Sequence, residues 1–513
     1  MKKIIFAVVI LCQSVFGFSQ MSESEIDSLV QHTLTAFDVP GIAVGVVKDG
    51  KLIHAKGYGV RSLKTNLPVD ENTLFGVASN SKAFTAAALG MLQDEGKLNY
   101  DDKVKEYIPE FKLYAPFVSE EFTIRDLLTH RSGLGLGAGD LMFFPDGSDF
   151  SIQEIIYNLR YLKPETSFRT QYDYDNCLYI VAGEIIKRVS GLSWEEFIEQ
   201  KMMVPLGFEK STASYSRIKN NLNYIDPHAP VNGKITALEH DWNETANAAG
   251  GIQSNITDMS KWAMLWLNQG ELPNGKRLFS EEVMNDMLTP QTIIKRGKGN
   301  YNTHFSAYGL GWFLSDEKGY FQATHTGGLL GTVTQVTLLP ELKLGIIVLT
   351  NQQSGAAFYA ITNSIKDSYL GYENRDWVNR YRENVKRNQE SANKITQEIQ
   401  KEVDRALQKN VKVPDSVYAG TFKDEWLGEI IIERKEGELR IRSVRSPRLR
   451  GKLLFYKANT FIARWDDRSF DADAFVMYTL DENGIGKGFT MKAISPLTVF
   501  SFDFHHLDFH RVK

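Results

Sequence analysis

Apolar and polar positions follow three different regimes along this chain, and each predicts a different architecture. In residues 22–37 apolar side chains fall at Ile26, Leu29, Val30, Leu34 and Phe37, the stripe of an amphipathic helix, with Ser22 and Glu25 as its capping box. Residues 42–47 and 52–60 flank Lys48-Asp49-Gly50-Lys51, a β-hairpin signal whose turn is the Asp-Gly pair. Helical patterns fill the middle at 123–128, 152–162, 194–203 and 257–268. Strand patterns return at 311–314, 332–339 and 344–350, the last apolar enough for a central strand. Helices gathered in the middle and strands split between both ends predict an α+β fold. Its antiparallel sheet would be closed by the N- and C-terminal strands, with the helices gathered between them in sequence.

The second regime, residues 371–412, is densely charged. Trp377, Val378, Tyr381 and Val385, then Ile395, Ile399, Val403 and Leu407, leave it a narrow apolar stripe. This predicts one or two connecting helices lying on the preceding domain and ended by Pro414. The third regime, residues 413–513, breaks into short strand patterns at 418–422, 428–434, 439–444, 452–458, 460–465, 473–480, 488–493 and 498–504. Turn-rich separators such as Lys435-Glu436-Gly437-Glu438 divide them, which predicts a small antiparallel β-barrel of lipocalin-like size. The expected organisation is a leader at 1–19, a first domain at 20–370, the charged linker at 371–412 and the barrel at 413–513.

Composition adds an address more than a function. A chain of 513 residues, 42% apolar and 24% charged, suits two or three globular domains. A net charge of −4, with acids and bases interspersed, gives no reason to expect nucleic acid as a partner. Lys2 and Lys3, an apolar run to Leu11 and then small and polar residues read as a signal peptide, so a periplasmic or secreted location is expected. Gln13 and Ser14 cut that run below spanning length, and bulky Leu11 before Cys12 argues against a lipoprotein anchor. Stable membrane insertion is not expected. With the leader removed Cys177 is the sole thiol, so an intrachain disulfide is excluded.

Candidate chemistry starts at Ser79-Asn80-Ser81-Lys82, a Ser-x-x-Lys where a strong helix pattern begins. Residues at i and i+3 share a helix face, so Lys82 can reach the Ser79 hydroxyl, and a helix N-terminus favours a developing oxyanion. A second element, Tyr174-Asp175-Asn176, precedes an apolar helix. A tyrosine beside a lysine can shuttle protons, and an asparagine amide can bond both a lysine and a substrate carbonyl. The third, His325-Thr326-Gly327-Gly328, opens a strand pattern whose glycines allow close approach of a substrate backbone. The Gly328 N–H is a candidate second oxyanion donor beside that of Ser79. Neither His-Glu-x-x-His nor Cys-x-x-Cys occurs, so no metal or other cofactor is expected. The cluster His505, His506, Asp508 and His510 would put residues 506, 508 and 510 on one strand face, but reads better as a polar edge with a bulge near His505.

These three elements in this order resemble the penicillin-recognising serine hydrolases, in the branch of class C β-lactamases, DD-peptidases, D-aminopeptidases and related esterases. Leu127-Leu128-Thr129-His130-Arg131-Ser132-Gly133-Leu134, Ala249-Gly250-Gly251-Ile252 and Tyr308-Gly309-Leu310-Gly311-Trp312 agree with that resemblance, which spans roughly residues 24–370. It implies an acyl-enzyme on Ser79, with Lys82 or Tyr174 as base. Asn176, His325, Thr326, Gly327 and Gly328 would then bind substrate or its oxyanion. It also implies the α+β fold, an antiparallel sheet flanked by helices with an all-helical subdomain, as well as a structural role for His130 and a small-molecule or peptide substrate. His-Thr-Gly in place of Lys-Thr-Gly resembles the peptidase side. A peptidase or amidase on D-residue-containing or cell-wall-like peptides is therefore expected, with a carboxylesterase as alternative and a β-lactamase or a non-catalytic penicillin-binding sensor behind. All three motifs precede residue 330, so the barrel is expected to supply no chemistry. Shielding the cleft, homo-oligomerisation and ligand binding stay open as its role.

Overall fold

The computed structural model describes residues 20–512 except 220–222, 241, 296, 298 and 374. The leader read at 1–19 lies outside the described residues. The first domain is built on an eight-stranded antiparallel sheet. Its strands are β1 (Gly41–Lys48), β2 (Lys51–Gly59), β3 (Thr292–Ile293), β4 (Ser306–Tyr308), β5 (Phe313–Glu317), β6 (Tyr320–Leu329), β7 (Thr332–Leu339) and β8 (Leu344–Thr350). They lie in the order β2-β1-β8-β7-β6-β5-β4-β3, so the N-terminal hairpin zips onto the last strand, with Ile42 opposite Thr350 and Lys48 opposite Leu344. The β1–β2 turn places Asp49 and Gly50 both at positive φ, as a two-residue hairpin requires.

Both faces of this sheet are covered, and the alternation of β1 and β8 shows how. Ile42, Val44, Val46, Ile346 and Val348 face one apolar core with α1 (Glu23–Ala36), while Ala43, Val47, Ile347 and Leu349 face the other. The second core holds α2 (Ser81–Asp94), α3 (Cys177–Ser190) and α4 (Ile256–Leu267). Short helices between residues 104 and 206 surround α3 and form the helical subdomain. Helix α5 (Gly355–Leu370) joins α1 on the first face.

The charged segment is one long helix, α6 (Trp377–Gln408). It starts on the first domain, where Trp377 Nε1 donates to Asp367 at 2.7 Å and Asn363 Nδ2 to Tyr381 at 2.9 Å, and its far end packs on the barrel. The barrel closes through eight strands: β9 (Gly420–Asp424), β10 (Gly428–Lys435), β11 (Glu438–Ser443), β12 (Arg450–Lys457), β13 (Thr460–Trp465), β14 (Ala474–Leu480), β15 (Gly486–Ala493) and β16 (Asp508–Arg511). No helix among the described residues is long and apolar enough to cross a membrane.

One strand differs from expectation. Residues 498–504 do not join the barrel; the closing strand is β16, with Phe422 opposite Arg511. The three aromatics Phe500, Phe502 and Phe504 recur at every second position, but burial does not alternate: residues 501–504 are all buried and Phe500 is exposed, and the rings meet other partners than a ladder neighbour. Phe500 stacks edge-on to Tyr174, Phe502 to Phe144, and Phe504 lies on Trp465. The histidine cluster changes with it. His506 belongs to a 3₁₀ turn, Phe504–His506, and Asp508 and His510 to β16, so these three do not share a strand face. Glu165, His505 and His506 converge instead, with ligand atoms within 4.8 Å of one another. Burial pulls the His506 imidazole down, but Asp503 and Glu165 more than offset this and hold it above its usual value. Its Nε2 donates to the Leu134 carbonyl at 3.1 Å, and the ring lies between Glu165 and Asp503 at the domain junction.

Candidate active site

Ser79 sits in a 3₁₀ turn, Ala78–Asn80, that leads into α2. Ala78 is held at φ 52°, a left-handed conformation unfavourable for any residue but glycine. Thr334 of β7 enforces it: its hydroxyl donates to the Val77 carbonyl at 2.9 Å and accepts from Asn80 Nδ2 at 2.9 Å. Gly327 of β6 lies against the same turn. A Cβ there would stand 2.2 Å from the Val77 carbonyl oxygen and 2.9 Å from the Ala78 Cβ. Gly327→Ala is accordingly expected to push the Ser79 turn off β6, lowering Tm by several degrees and cutting turnover by more than about tenfold. A thermal melt with a rate measurement checks this, and unchanged turnover would contradict the packing.

Lys82 is fully buried in the first turn of α2. Its ammonium donates to Ser79 Oγ at 3.1 Å, Asn176 Oδ1 at 2.7 Å and the Ala249 carbonyl at 2.9 Å. Burial pulls it down to about 7, with Asp140 and Asp175 partly opposing. Tyr174 is buried beside it, with Lys82 Nζ 4.9 Å from the ring centre. Burial pushes the Tyr174 phenol well above its usual value, against the hydrogen bond with Ser79. The two groups thus move in opposite senses, lysine towards the free amine and tyrosine towards the intact phenol.

The Tyr174–Asn176 loop is braced from behind by His130. The His130 Nδ1 accepts from Asp175 N–H at 3.1 Å, its carbonyl accepts from Asp173 N–H at 2.8 Å, and its ring lies 4.2 Å from that of Tyr174. Asn176 spends both ends of its amide on protein: Oδ1 on Lys82, and Nδ2 on Asp140 Oδ2 at 2.8 Å. His325 is similarly occupied. Its Nδ1 donates to the Thr326 carbonyl at 2.7 Å and its Nε2 meets the Tyr308 hydroxyl at 2.9 Å. Burial, with the Lys82 charge behind it, pushes the imidazole down to about 3, so it stays neutral.

Ser79, Tyr174, Asn176, His325, Thr326, Gly327 and Gly328 all line one cavity of about 520 Å³, and Lys82 lies beneath it. Gly328 faces open space where a Cβ would stand. The cavity walls are largely apolar, and Leu136, Phe143, Trp242, Phe313, Leu329 and Phe500 supply most of the bulk. Among the described residues that line it, none is a lysine or arginine, whereas Asp146 and Glu239 are carboxylates.

Sequence reasoning missed Asp140, Phe500, Ser501 and Asp503. The barrel does reach the site: Phe500 and Ser501 line the cavity, and Ser501 Oγ donates to Asp140 Oδ2 at 2.6 Å. The one local signal is Gly133-Leu134-Gly135-Leu136-Gly137-Ala138-Gly139-Asp140. All four glycines take positive φ, and a Cβ at Gly137 would stand 2.9 Å from the Phe500 carbonyl oxygen.

A sheet packed between helices, with a serine and lysine at a helix start facing a β-strand across an apolar cleft, defines a serine hydrolase of β-lactamase fold. The chain belongs to the beta-lactamase family, whose profile matches residues 26–368. Residues 411–511 match a profile described as a domain of unknown function, DUF3471. The chain is 26% identical over 447 residues to the unguisins hydrolase ungD of Aspergillus violaceofuscus, covering 81% of this chain and 78% of that protein. It is also 26% identical over 336 residues to protein flp of Staphylococcus aureus, covering 65% and 64%. Among solved structures, the octameric penicillin-binding protein homologue from Pyrococcus abyssi superposes with TM-score 0.62 at 21% identity, over 93% of this chain and 99% of that one. A class C beta-lactamase superposes with TM-score 0.55 at 22% identity, over 68% of this chain and 95% of that one. At these identities the two structures establish the fold alone.

Proposed function

We propose that this protein hydrolyses peptide amide bonds through an acyl-enzyme on Ser79, taking substrates with bulky apolar or D-configured residues. The single observation that carries this is Lys82: buried, 3.1 Å from Ser79 Oγ and pulled down to about 7, so that a free amine is available near neutral pH. As Ser79 Oγ attacks the carbonyl carbon, its proton passes to Lys82 Nζ. The N–H groups of Ser79 and Gly328 receive the oxyanion. Tyr174, kept as phenol by burial, gives its proton to the departing nitrogen and is resupplied by the Lys82 ammonium. The same steps in reverse, with water as nucleophile, release the acyl group. The name of the Aspergillus relative makes that protein a hydrolase too. The export leader read in residues 1–19 puts the reaction in the periplasm or the medium.

Charge narrows the substrate. A free carboxylate beside the scissile bond would be desolvated with no lysine or arginine lining the cavity, and neutral His325 cannot replace one. Capped or internal amides are therefore favoured over free-acid D-Ala-D-Ala ends and over penicillins. The apolar walls also suit small acyl esters, which keeps a carboxylesterase as second reading.

Purified protein should be assayed on apolar D- and L-aminoacyl amides, a D-Ala-D-Ala peptide and its C-terminal amide, nitrophenyl esters and nitrocefin. The amide-capped peptide is expected to exceed its free acid by at least about tenfold in kcat/KM, with nitrocefin among the poorest substrates. A preference for the free acid would sink the substrate assignment. Ester turnover with no amide turnover would select the esterase.

A further inference from the structure

Between β15 and β16 the chain leaves the barrel and lies against the first domain beside the cavity. Asp503, fully buried, accepts from Gly139 N–H at 2.8 Å and from Leu141 N–H at 3.3 Å, which fixes this segment on the two residues flanking Asp140. Ser501 Oγ donates to Asp140 Oδ2 at 2.6 Å. The same oxygen accepts from Asn176 Nδ2 at 2.8 Å, and Asp140 is itself fully buried.

That second bond turns the Asn176 amide with its nitrogen towards Asp140. With its nitrogen committed to a carboxylate, its oxygen is left for Lys82 Nζ at 2.7 Å. With Lys82 as ammonium and Asp140 charged, turning the amide over would set N–H against N–H and oxygen against carboxylate, both unfavourable in a dry site. A continuous run of hydrogen bonds therefore leads from the barrel segment through Asp140 and Asn176 to Lys82, and from Lys82 to Ser79.

We propose that Ser501, delivered by the C-terminal barrel, is a positioning residue for Lys82, acting through Asp140 and the Asn176 amide. This rests on the reading of Ser79 as nucleophile and Lys82 as base. Acyl transfer then runs at full rate only with the barrel segment docked, which gives the appended domain a part in the chemistry that its distance in sequence conceals.

Electrostatics point the same way. Asp140 and Asp175 are the carboxylates that face Lys82; Tyr174, Tyr179, His130 and His325 surround it as well. Burial raises Asp140 well above the usual carboxylate range, the Ser501 bond pulls it back, Asp503 and Asp175 push it up, and the Asn176 amide lowers it. Without Ser501 a smaller fraction of Asp140 is charged, and Lys82 loses part of the support for its ammonium form. Its proton is then released at lower pH.

The test uses the full-length protein and a nitrophenyl ester. Ser501→Ala is expected to lower kcat by about three- to tenfold with KM within about twofold. It should also move the acid limb of the pH–rate profile to lower pH by about half a unit. Asp140→Asn, which removes the charge outright, should move the limb further in the same direction. Loss of packing alone would scale the rate at every pH and leave the limb in place. An unmoved limb in Ser501→Ala would therefore overturn the proposal, and so would an unmoved limb in Asp140→Asn, which decides the matter if Ser501→Ala does not fold. Fluorophosphonate labelling of Ser79 in the wild-type protein separates the two levels. A labelled Ser79 with unmoved limbs defeats this inference alone, whereas an unlabelled Ser79 defeats the acyl-enzyme reading and this inference with it.

Discussion

The Ser79→Ala protein is expected to take up no fluorophosphonate, while the wild-type protein gains the mass of one phosphonyl group on the peptide carrying Ser79. Hydrolysis of amides and esters should fall to the background of the buffer, a loss of at least about 10⁴-fold, because a missing nucleophile ends acyl-enzyme chemistry outright. The substitution itself is mild. Ser79 stands at the cavity wall, its turn is held by Thr334 and Asn80, and neither of those bonds uses the Ser79 hydroxyl. Lys82 keeps Asn176 and the Ala249 carbonyl as acceptors when the serine oxygen is removed. Folding should thus be close to wild type, so a lost label reads out chemistry. Intact-mass and peptide-mass measurement checks it, and a label that persists in Ser79→Ala would end the case for this serine.

What the sequence carries about the site depends on how local each contact is. Ser79 and Lys82 are three apart on one turn, so their meeting follows from helix geometry alone. Tyr174–Asn176 and His325–Gly328 are distant from them, and only the order of three motifs brings them in, by resemblance. Asn176 and His325, candidates for binding substrate, line the cavity, and that their polar atoms also meet protein partners is visible only in the folded surroundings. The contact of Ser501 with Asp140 joins residues 361 apart, and nothing in the local pattern of either announces the other. Residues 498–504 show why alternation misleads there. An aromatic at every second position suggests a ladder, yet residues 501–504 are buried consecutively at the junction with the first domain while Phe500 stays exposed. The hairpin at Asp49-Gly50, the buried strand β8 and the capping box on α1 were legible because local chemistry and burial agree.

Lys82→Ala is expected to slow acylation of Ser79 by about 10²–10⁴-fold on amides and on nitrophenyl esters alike, whereas Tyr174→Phe should do so on amides only. The distinction follows from where each proton goes. Lys82 takes the proton from Ser79 Oγ, 3.1 Å away, whatever the leaving group. Tyr174 is kept as phenol by burial and supplies a proton to the leaving nitrogen, which an amide needs and a nitrophenolate does not. The pH dependence has a definite sign. Lys82 acts as the free amine, so kcat/KM should rise through a midpoint near its value of about 7 and level off above it. His325, pushed down to about 3, contributes nothing over that range. Asp175 is raised by burial to about 7 as well and is close enough to titrate with Lys82, so the observed midpoint belongs to the pair. Asp175→Asn separates them. The limb should survive in that variant, displaced to lower pH because one supporting charge is gone, and should disappear in Lys82→Ala. Stopped-flow acylation from pH 5 to 9 measures both quantities. Near wild-type rates for Lys82→Ala on both substrates, or a limb that vanishes with Asp175 and persists without Lys82, would move the base to another residue.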